Sequence, residues 1–362
     1  MSRLGGLDRA GYRDWLEGQE FSGVIHVAGD DDEEPLTIAM GLANRAAGLP
    51  NEPGTRFGIA STTKLLTGLV AARLVERGEI RYEDPLVDLL AADLRPTDLD
   101  EHVTLQHLLT HTSGVGDYAD EYDGPPYEQI WETVSPGTIR AVRDLVPLMR
   151  DLPRTSDPGE AVRYNNGAYV LAGLALEEAS GRSFYELVRD EVFEPLGMAS
   201  SGFWALDDAD EPDLAIGYQP PDPEATPGSL AATWRTNVHG MPAMGQPDGG
   251  AQATAADLVR CLDALTGSRL GAAYLSRDAR ERLIGPYETS PEMKASLGLG
   301  AISAGDHGTE RIGHSGDDPG FSCRCWVYVA TGERVVVLSN VTEGAWQPFV
   351  RLDELLAAIQ LG

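Results

Sequence analysis

Strand-like segments crowd both ends of this chain while helical periodicity fills the middle, and that distribution limits the available folds more than any other feature. "SGVIHVA" (22–28) and "LTIAMGL" (36–42) flank the acidic turn "GDDDEEP" and predict a hairpin. "RFGIA" follows as a third short strand. Beyond about residue 296, "ERIGH", "CRCWVYV" and "RVVVLSN" are short and rich in β-branched or aromatic residues, and "ATGE" turns between the last two. Between these regions the period changes. Leu65, Leu66, Leu69, Val70, Leu74 and Val75 recur at helical spacing and Gly78 supplies a stop. "GAYVLAGLALEEASG" ends at Gly181, and "SFYELVRDEVFEP" opens with a Ser183–Glu186 capping box. "TAADLVRCLDALTG" and the final "WQPFVRLDELLAAIQ" are also helical in pattern. Such an order predicts an α+β fold: an antiparallel sheet flanked by helices and contributed by both termini, with a mostly helical region inserted. The expected division is residues 1–81 with 286–362 as one domain and 82–285 as the other. A site is expected in the cleft between them.

Composition narrows the partners. The formal charge of −29 argues against nucleic acid, which needs a basic footprint, and against anionic membrane surfaces. No apolar run approaches the roughly 18 residues that span a bilayer, and "MSRLGGLDRAGYRDWLEG" lacks a signal-peptide core, so the chain reads as cytoplasmic. An exported chain without its leader would look the same. Cys261, Cys323 and Cys325 form no disulfide framework and read as buried free thiols.

Lys64 and Lys294 are the only lysines; the other 26 basic residues are arginines. Ser61 lies three positions before Lys64, so the two share one helical face. A serine hydroxyl is a poor nucleophile until a base takes its proton. Burial lowers a lysine pKa from about 10.4 toward neutrality, whereas arginine keeps its proton. That chemistry accounts for a lysine here, in a chain that otherwise uses guanidinium. The plainer reading is a helix-capping serine with an incidental lysine.

Two further stretches extend the pattern. "RYNNGAYV" sets Tyr164 and Asn166 two residues apart before a helix. A phenol near a lysine ammonium can shuttle a proton to a leaving group, and Asn166 can contact a substrate carbonyl or hold the lysine. "RIGHSGDDPGF" sets His314 and Gly316 at a strand end, where a missing side chain lets an acyl group approach the backbone. Ser-x-x-Lys, Tyr-x-Asn and His-x-Gly, in this order, resemble the penicillin-recognising serine hydrolases: class C β-lactamases, D-alanyl-D-alanine carboxypeptidases and their esterase relatives. "TLQHLLTHTSGV", "GGAQATAADL" and "VVVLSN" extend the resemblance over nearly the whole chain. It implies Ser61 as nucleophile, Lys64 as base, Tyr164 as proton shuttle and Asn166 as substrate contact. It also implies an α/β domain from both termini, a mostly helical domain between them, and no metal or organic cofactor. The third motif begins with lysine in most β-lactamases and with histidine in some carboxypeptidases and many esterase-like members, as at His314.

In this family the residue after the third motif's glycine lends its N–H to the oxyanion hole. Here it is Asp317, followed by Asp318. A carboxylate beside a developing oxyanion opposes its charge unless turned away or protonated. The expected substrates are therefore small neutral esters, or amides with a cationic or neutral end, in preference to β-lactams or D-Ala-D-Ala peptides. A β-lactamase, carboxypeptidase or D-aminopeptidase is the alternative within the family, and a non-catalytic binding protein of the same fold is the alternative outside it. Tyr118 in "GVGDYADEY" and Trp234 in "AATWRTNVHG" are candidate walls of an acyl pocket. Ser315 in "GHSGD" fails as an elbow nucleophile because no histidine follows His314. His107 and His111 in "HLLTH" have i, i+4 spacing but lack the glutamate of a zinc protease, and read as loop-packing residues.

Overall fold

Eight strands pair in antiparallel fashion in a computed structural model that describes residues 6–29, 34–207, 213–222, 224–225, 232–238, 240–268, 271–305 and 310–361. They are β1 (Gly23–Ala28), β2 (Leu36–Met40), β3 (Glu288–Ser290), β4 (Ala295–Leu297), β5 (Ile302–Ala304), β6 (Arg311–Asp318), β7 (Phe321–Tyr328) and β8 (Arg334–Ser339). Their order across the sheet is β2-β1-β8-β7-β6-β5-β4-β3, so N-terminal strands complete an edge begun by C-terminal ones. The acidic turn of the first hairpin lies mostly outside the described residues.

Period-2 alternation decides which face each side chain serves. Val24, Cys323, Cys325, Val336 and Leu338 point to one face, and Ile25, Val27, Trp326, Tyr328, Val335 and Val337 to the other. The second face is covered by α1 (Arg9–Gly18) through Tyr12 and Leu16, and by the C-terminal helix (Trp346–Leu361) through Phe349, Leu352 and Leu356. The first face joins the larger core with α2 (Thr63–Glu76), α3 (Asn166–Ser180) and α4 (Ala255–Thr266). Each fully buried aliphatic side chain there contributes roughly 1.5–3 kcal/mol. β7 is buried along its whole length, as expected of a strand covered on both faces. The three cysteines are free and buried.

Most helix and strand expectations match these elements. Gly181 adopts φ +68° and ends α3, and the Ser183–Glu186 capping box is present. "RFGIA" differs: only Phe57–Gly58 is extended, and it pairs with Gln252–Ala253 instead of joining the large sheet. Helix α1 and strands β3–β5 carry too few apolar positions in sequence to declare themselves. Among the described residues no helix is long and apolar enough to cross a membrane.

Helix α2 lies directly on the chain leading into β5. A methyl built on Gly68 would stand 2.1 Å from the Leu299 carbonyl oxygen, and Gly300 faces it with φ +107°. Backbone on both sides leaves no flexible atom to move. Gly68→Ala is expected to destabilise the protein by about 1–3 kcal/mol, read as a lowered urea midpoint with an unchanged slope. An unchanged midpoint would show that α2 can ride outward at no cost.

Candidate active site

The site is built where β6 outruns its neighbour. β5 pairs with β6 only at Arg311–Gly313, so residues 314–318 keep β7 on one side and present an open edge on the other. Against that edge sits the tight turn Ala60–Thr62, which carries Ser61 into α2. Ala60 adopts φ +48°, a conformation costing an L-residue about 1–2 kcal/mol. Three backbone and side-chain contacts hold it: Gly250 N–H reaches the Ala60 carbonyl at 3.3 Å, Thr63 Oγ1 donates to the same oxygen at 2.8 Å, and Ala251 N–H donates to Thr63 Oγ1 at 3.0 Å. Strain concentrated before a reactive side chain is a common feature of functional turns.

Lys64 follows one helical turn later and is fully buried. Its Nζ lies 2.9 Å from Ser61 Oγ, 2.7 Å from Asn166 Oδ1 and 2.6 Å from the Asp248 carbonyl oxygen. Burial lowers its pKa, against the raising effect of Asp248, Glu121, Asp117 and Asp318. A neutral amine has two N–H bonds and one lone pair. Two of the three partners can only accept, so both hydrogens go to Asn166 and Asp248 and the lone pair is left facing Ser61.

Tyr164 hydrogen-bonds to Ser61, and its ring lies beneath Lys64 Nζ at 4.9 Å. Burial pushes its phenol well above the ordinary range, with Glu121 adding to the shift, so the group rests protonated and able to donate. Asn166 holds the lysine with Oδ1, and its Nδ2 donates to the Ala119 carbonyl at 3.0 Å and Glu121 at 3.3 Å. Asp117 accepts from the N–H groups of Asn166 and Gly167 and so fixes the start of α3; burial raises its carboxyl to about 6. His111 stacks on Tyr164 at 4.4 Å and accepts the Asn165 N–H through Nδ1. His107 caps its own short helix through Thr104. Among the described residues no cluster of His, Cys, Asp or Glu is arranged to hold a metal.

Above Ser61 opens a cavity of about 440 Å³. Ser61, Tyr118, Asn166, Asp317 and Asp318 line it; His314 does not, Tyr164 adjoins it through its hydrogen bond to Ser61, and Trp234 is elsewhere. His314 is buried, with burial and then Lys64 lowering its pKa to about 3. Its Nδ1 faces the Ser315 carbonyl and therefore carries the ring proton, so it supports the turn as a neutral ring and touches no substrate space. Gly316 fits directly on the nucleophile: a methyl built there would stand 2.5 Å from the Ser61 nitrogen. Asp317 turns to the opposite side of β6, where Arg324 pairs with it at 2.8 Å and Ser322 donates at 2.6 Å. Asp318, two positions beyond Gly316, shares its face and enters the site. Tyr118 donates to Asp248 Oδ2 at 2.7 Å. Trp234 is 43% exposed, and Arg45 stacks on its ring at 3.7 Å. Asp248, Glu121, Asp117 and His111 were invisible as site residues in sequence; "QPDGG" reads only as a turn.

A serine with a buried amine on one side and a phenol on the other, at the open edge of an antiparallel sheet, defines the serine hydrolases of the β-lactamase fold. The chain belongs to that family: the family model described as Beta-lactamase matches residues 13–359. It is 34% identical to esterase EstB of Burkholderia gladioli over 216 residues, 58% of this chain and 53% of EstB, so the match spans about half of that relative. Penicillin-binding protein 4 of Amycolatopsis lactamdurans is 26% identical over 88% of this chain and 79% of its own length. A penicillin-binding protein from Bacillus halodurans superposes with a TM-score of 0.85 at 32% identity, covering 95% of this chain and 99% of that one.

The Gly316 contact yields a direct test. Gly316→Ala is expected to displace the Ser61 N–H and cut turnover of an activated ester at least ~100-fold, with the circular dichroism spectrum unchanged. Retained turnover would mean that this backbone amide does not serve the reaction.

Proposed function

We propose that the protein is an acyl-enzyme esterase or amidase acting on small substrates. Ser61 attacks the carbonyl while Lys64 Nζ takes its proton. Tyr164 gives its own proton to the leaving oxygen or nitrogen and is re-protonated from Lys64. Water then attacks the acyl-enzyme in the reverse sequence and releases the acid. The observation that carries this reading is the lone pair of Lys64, left facing Ser61 Oγ at 2.9 Å by two acceptors that claim both hydrogens.

Labelling tests the assignment. A phosphonate ester is expected to modify the peptide containing Ser61 and no other, as read by mass spectrometry. Lys64→Arg should lower the labelling rate at least ~100-fold, because a guanidinium keeps its proton. Label elsewhere, or normal labelling in that variant, would refute these roles.

Substrate preference follows from charge. Asp317 is neutralised by Arg324, but Asp318, Asp248 and Glu121 remain in the cavity wall. At about 4 Å, like charges repel by roughly 1 kcal/mol in water and several-fold more in a partly dry cleft. Neutral esters and substrates with a cationic end are thus favoured over β-lactams and D-Ala-D-Ala peptides. One feature supports a second reading. Arg235 is the only basic side chain among the described residues lining the cavity, and its buried Nε has no hydrogen-bond partner. It could receive a substrate carboxylate, in keeping with the penicillin-binding relatives. Comparing kcat/KM for p-nitrophenyl butyrate, nitrocefin and a D-Ala-D-Ala peptide separates the two: the ester is expected to be fastest, and fastest turnover of nitrocefin would establish the second reading.

A further inference from the structure

Asp318 is a carboxyl group that the acyl-transfer scheme leaves unused. It enters the cavity from the same face of β6 as Gly316, and among the described residues its side chain has no hydrogen bond or ion pair. Its place relative to the nucleophile follows from Gly249. A methyl built there would lie 3.6 Å from the Ala60 carbonyl carbon and 3.9 Å from Asp318 Oδ2, so the carboxyl opens onto space beside the Ala60–Ser61 peptide. A second carboxyl-bearing residue lines the same cavity. Asp248 is 93% buried, one of its oxygens accepts from Tyr118, and Oδ1 is buried with no partner. A buried acceptor without a donor costs roughly 1–3 kcal/mol, and a ligand N–H recovers that cost. Among the described residues no group of three or more His, Cys, Asp or Glu is arranged to hold a metal here. An N–H donor carried by a substrate would meet this acceptor.

We propose that Asp318, aided by the free oxygen of Asp248, binds the ammonium group of substrates bearing a primary amine on the carbon next to the scissile carbonyl, and so sets specificity for amino-acyl esters and amides. This rests on the acyl-enzyme reading above. It narrows "small ester or amide" to one chemical class and names the residue that selects it. Burial raises Asp318 to about 7, with Lys64 acting the other way, and an arriving ammonium holds the carboxylate ionised.

The test uses two anilides of nearly equal shape: alanine p-nitroanilide, in both enantiomers, and isobutyric p-nitroanilide, in which a methyl replaces the ammonium. The native protein is expected to favour the better alanine enantiomer by about tenfold or more in kcat/KM, the scale of one charge-assisted hydrogen bond. Asp318→Asn should reduce that ratio at least about tenfold. A ratio of one or less in the native protein, or an unchanged ratio in the variant, overturns the proposal. Calorimetry of alaninamide against isobutyramide on the native protein needs neither turnover nor a variant. Tighter binding of alaninamide supports the proposal, and equal or weaker binding overturns it. Failure of Ser61 to label with a phosphonate would instead refute the acyl-enzyme reading, whatever the amide affinities.

Discussion

One buried amine organises the centre of this protein. Desolvating a lysine without partners costs several kcal/mol, so Lys64 has to be met from every direction by groups fixed elsewhere. Helix α3 supplies Asn166, and its start is pinned by Asp117. The loop before α4 supplies the Asp248 carbonyl, and Tyr118 ties the Asp248 side chain to the other wall. Tyr164 and Tyr169 put aromatic faces near Nζ, at 4.9 and 5.5 Å. Segments more than a hundred residues apart therefore converge on one nitrogen, and any shift of α3 relative to α2 moves Asn166 away from Lys64.

The sheet contributes an edge and little else. β6 runs past β5 by five residues, and Gly316 lets that free edge lie against the Ser61 nitrogen. Alternation along the strand then sorts the neighbouring carboxylates by side: Asp317 goes to Arg324, and Asp318 goes to the cavity. A one-residue slip of β6 would exchange their side chains, turning Asp318 toward Arg324 in place of Asp317. Register, set by the long β6–β7 ladder, is thus part of the specificity.

Much of this was legible in the chain beforehand. Period-2 and period-3.6 patterns located the long helices and the C-terminal strands because those elements bury one face each. A lysine at Ser61 plus three, in a chain that otherwise uses arginine almost throughout, drew attention to that pair, and the structure sets the two side chains 2.9 Å apart. The paired aspartates drew attention for their charge. What failed to show was direction. Sequence placed Asp317 beside the oxyanion, yet Arg324 on the adjacent strand draws it away. His314 was expected at the substrate and instead does not line the cavity, since its burial against Lys64 is a tertiary fact. Asp248 sits in a turn-like segment whose composition describes only the turn, and His111 reads in sequence as a loop-packing residue although it stacks on Tyr164. Trp234 was an aromatic in an irregular segment, and its stacking on Arg45 turns it to a different surface.

The acidic cavity and the amine base pull against each other. Four carboxyl groups raise the Lys64 pKa, and a lysine that keeps its proton cannot deprotonate Ser61. Burial outweighs them for a physical reason. The same low-dielectric surroundings that disfavour the ammonium also disfavour the carboxylates, lifting Asp117 to about 6, Asp318 to about 7 and Asp248 upward as well. Each proton they hold weakens their grip on the lysine. A substrate ammonium bound at Asp318 acts in the same sense. It neutralises one of the four carboxylates that raise the Lys64 pKa, which favours loss of the lysine proton. Under the proposed scheme an amine-bearing substrate would ready Lys64 as it binds, whereas a carboxylate-bearing one would reinforce the lysine's hold on its proton. Selection by charge and activation of Ser61 would then come from one contact.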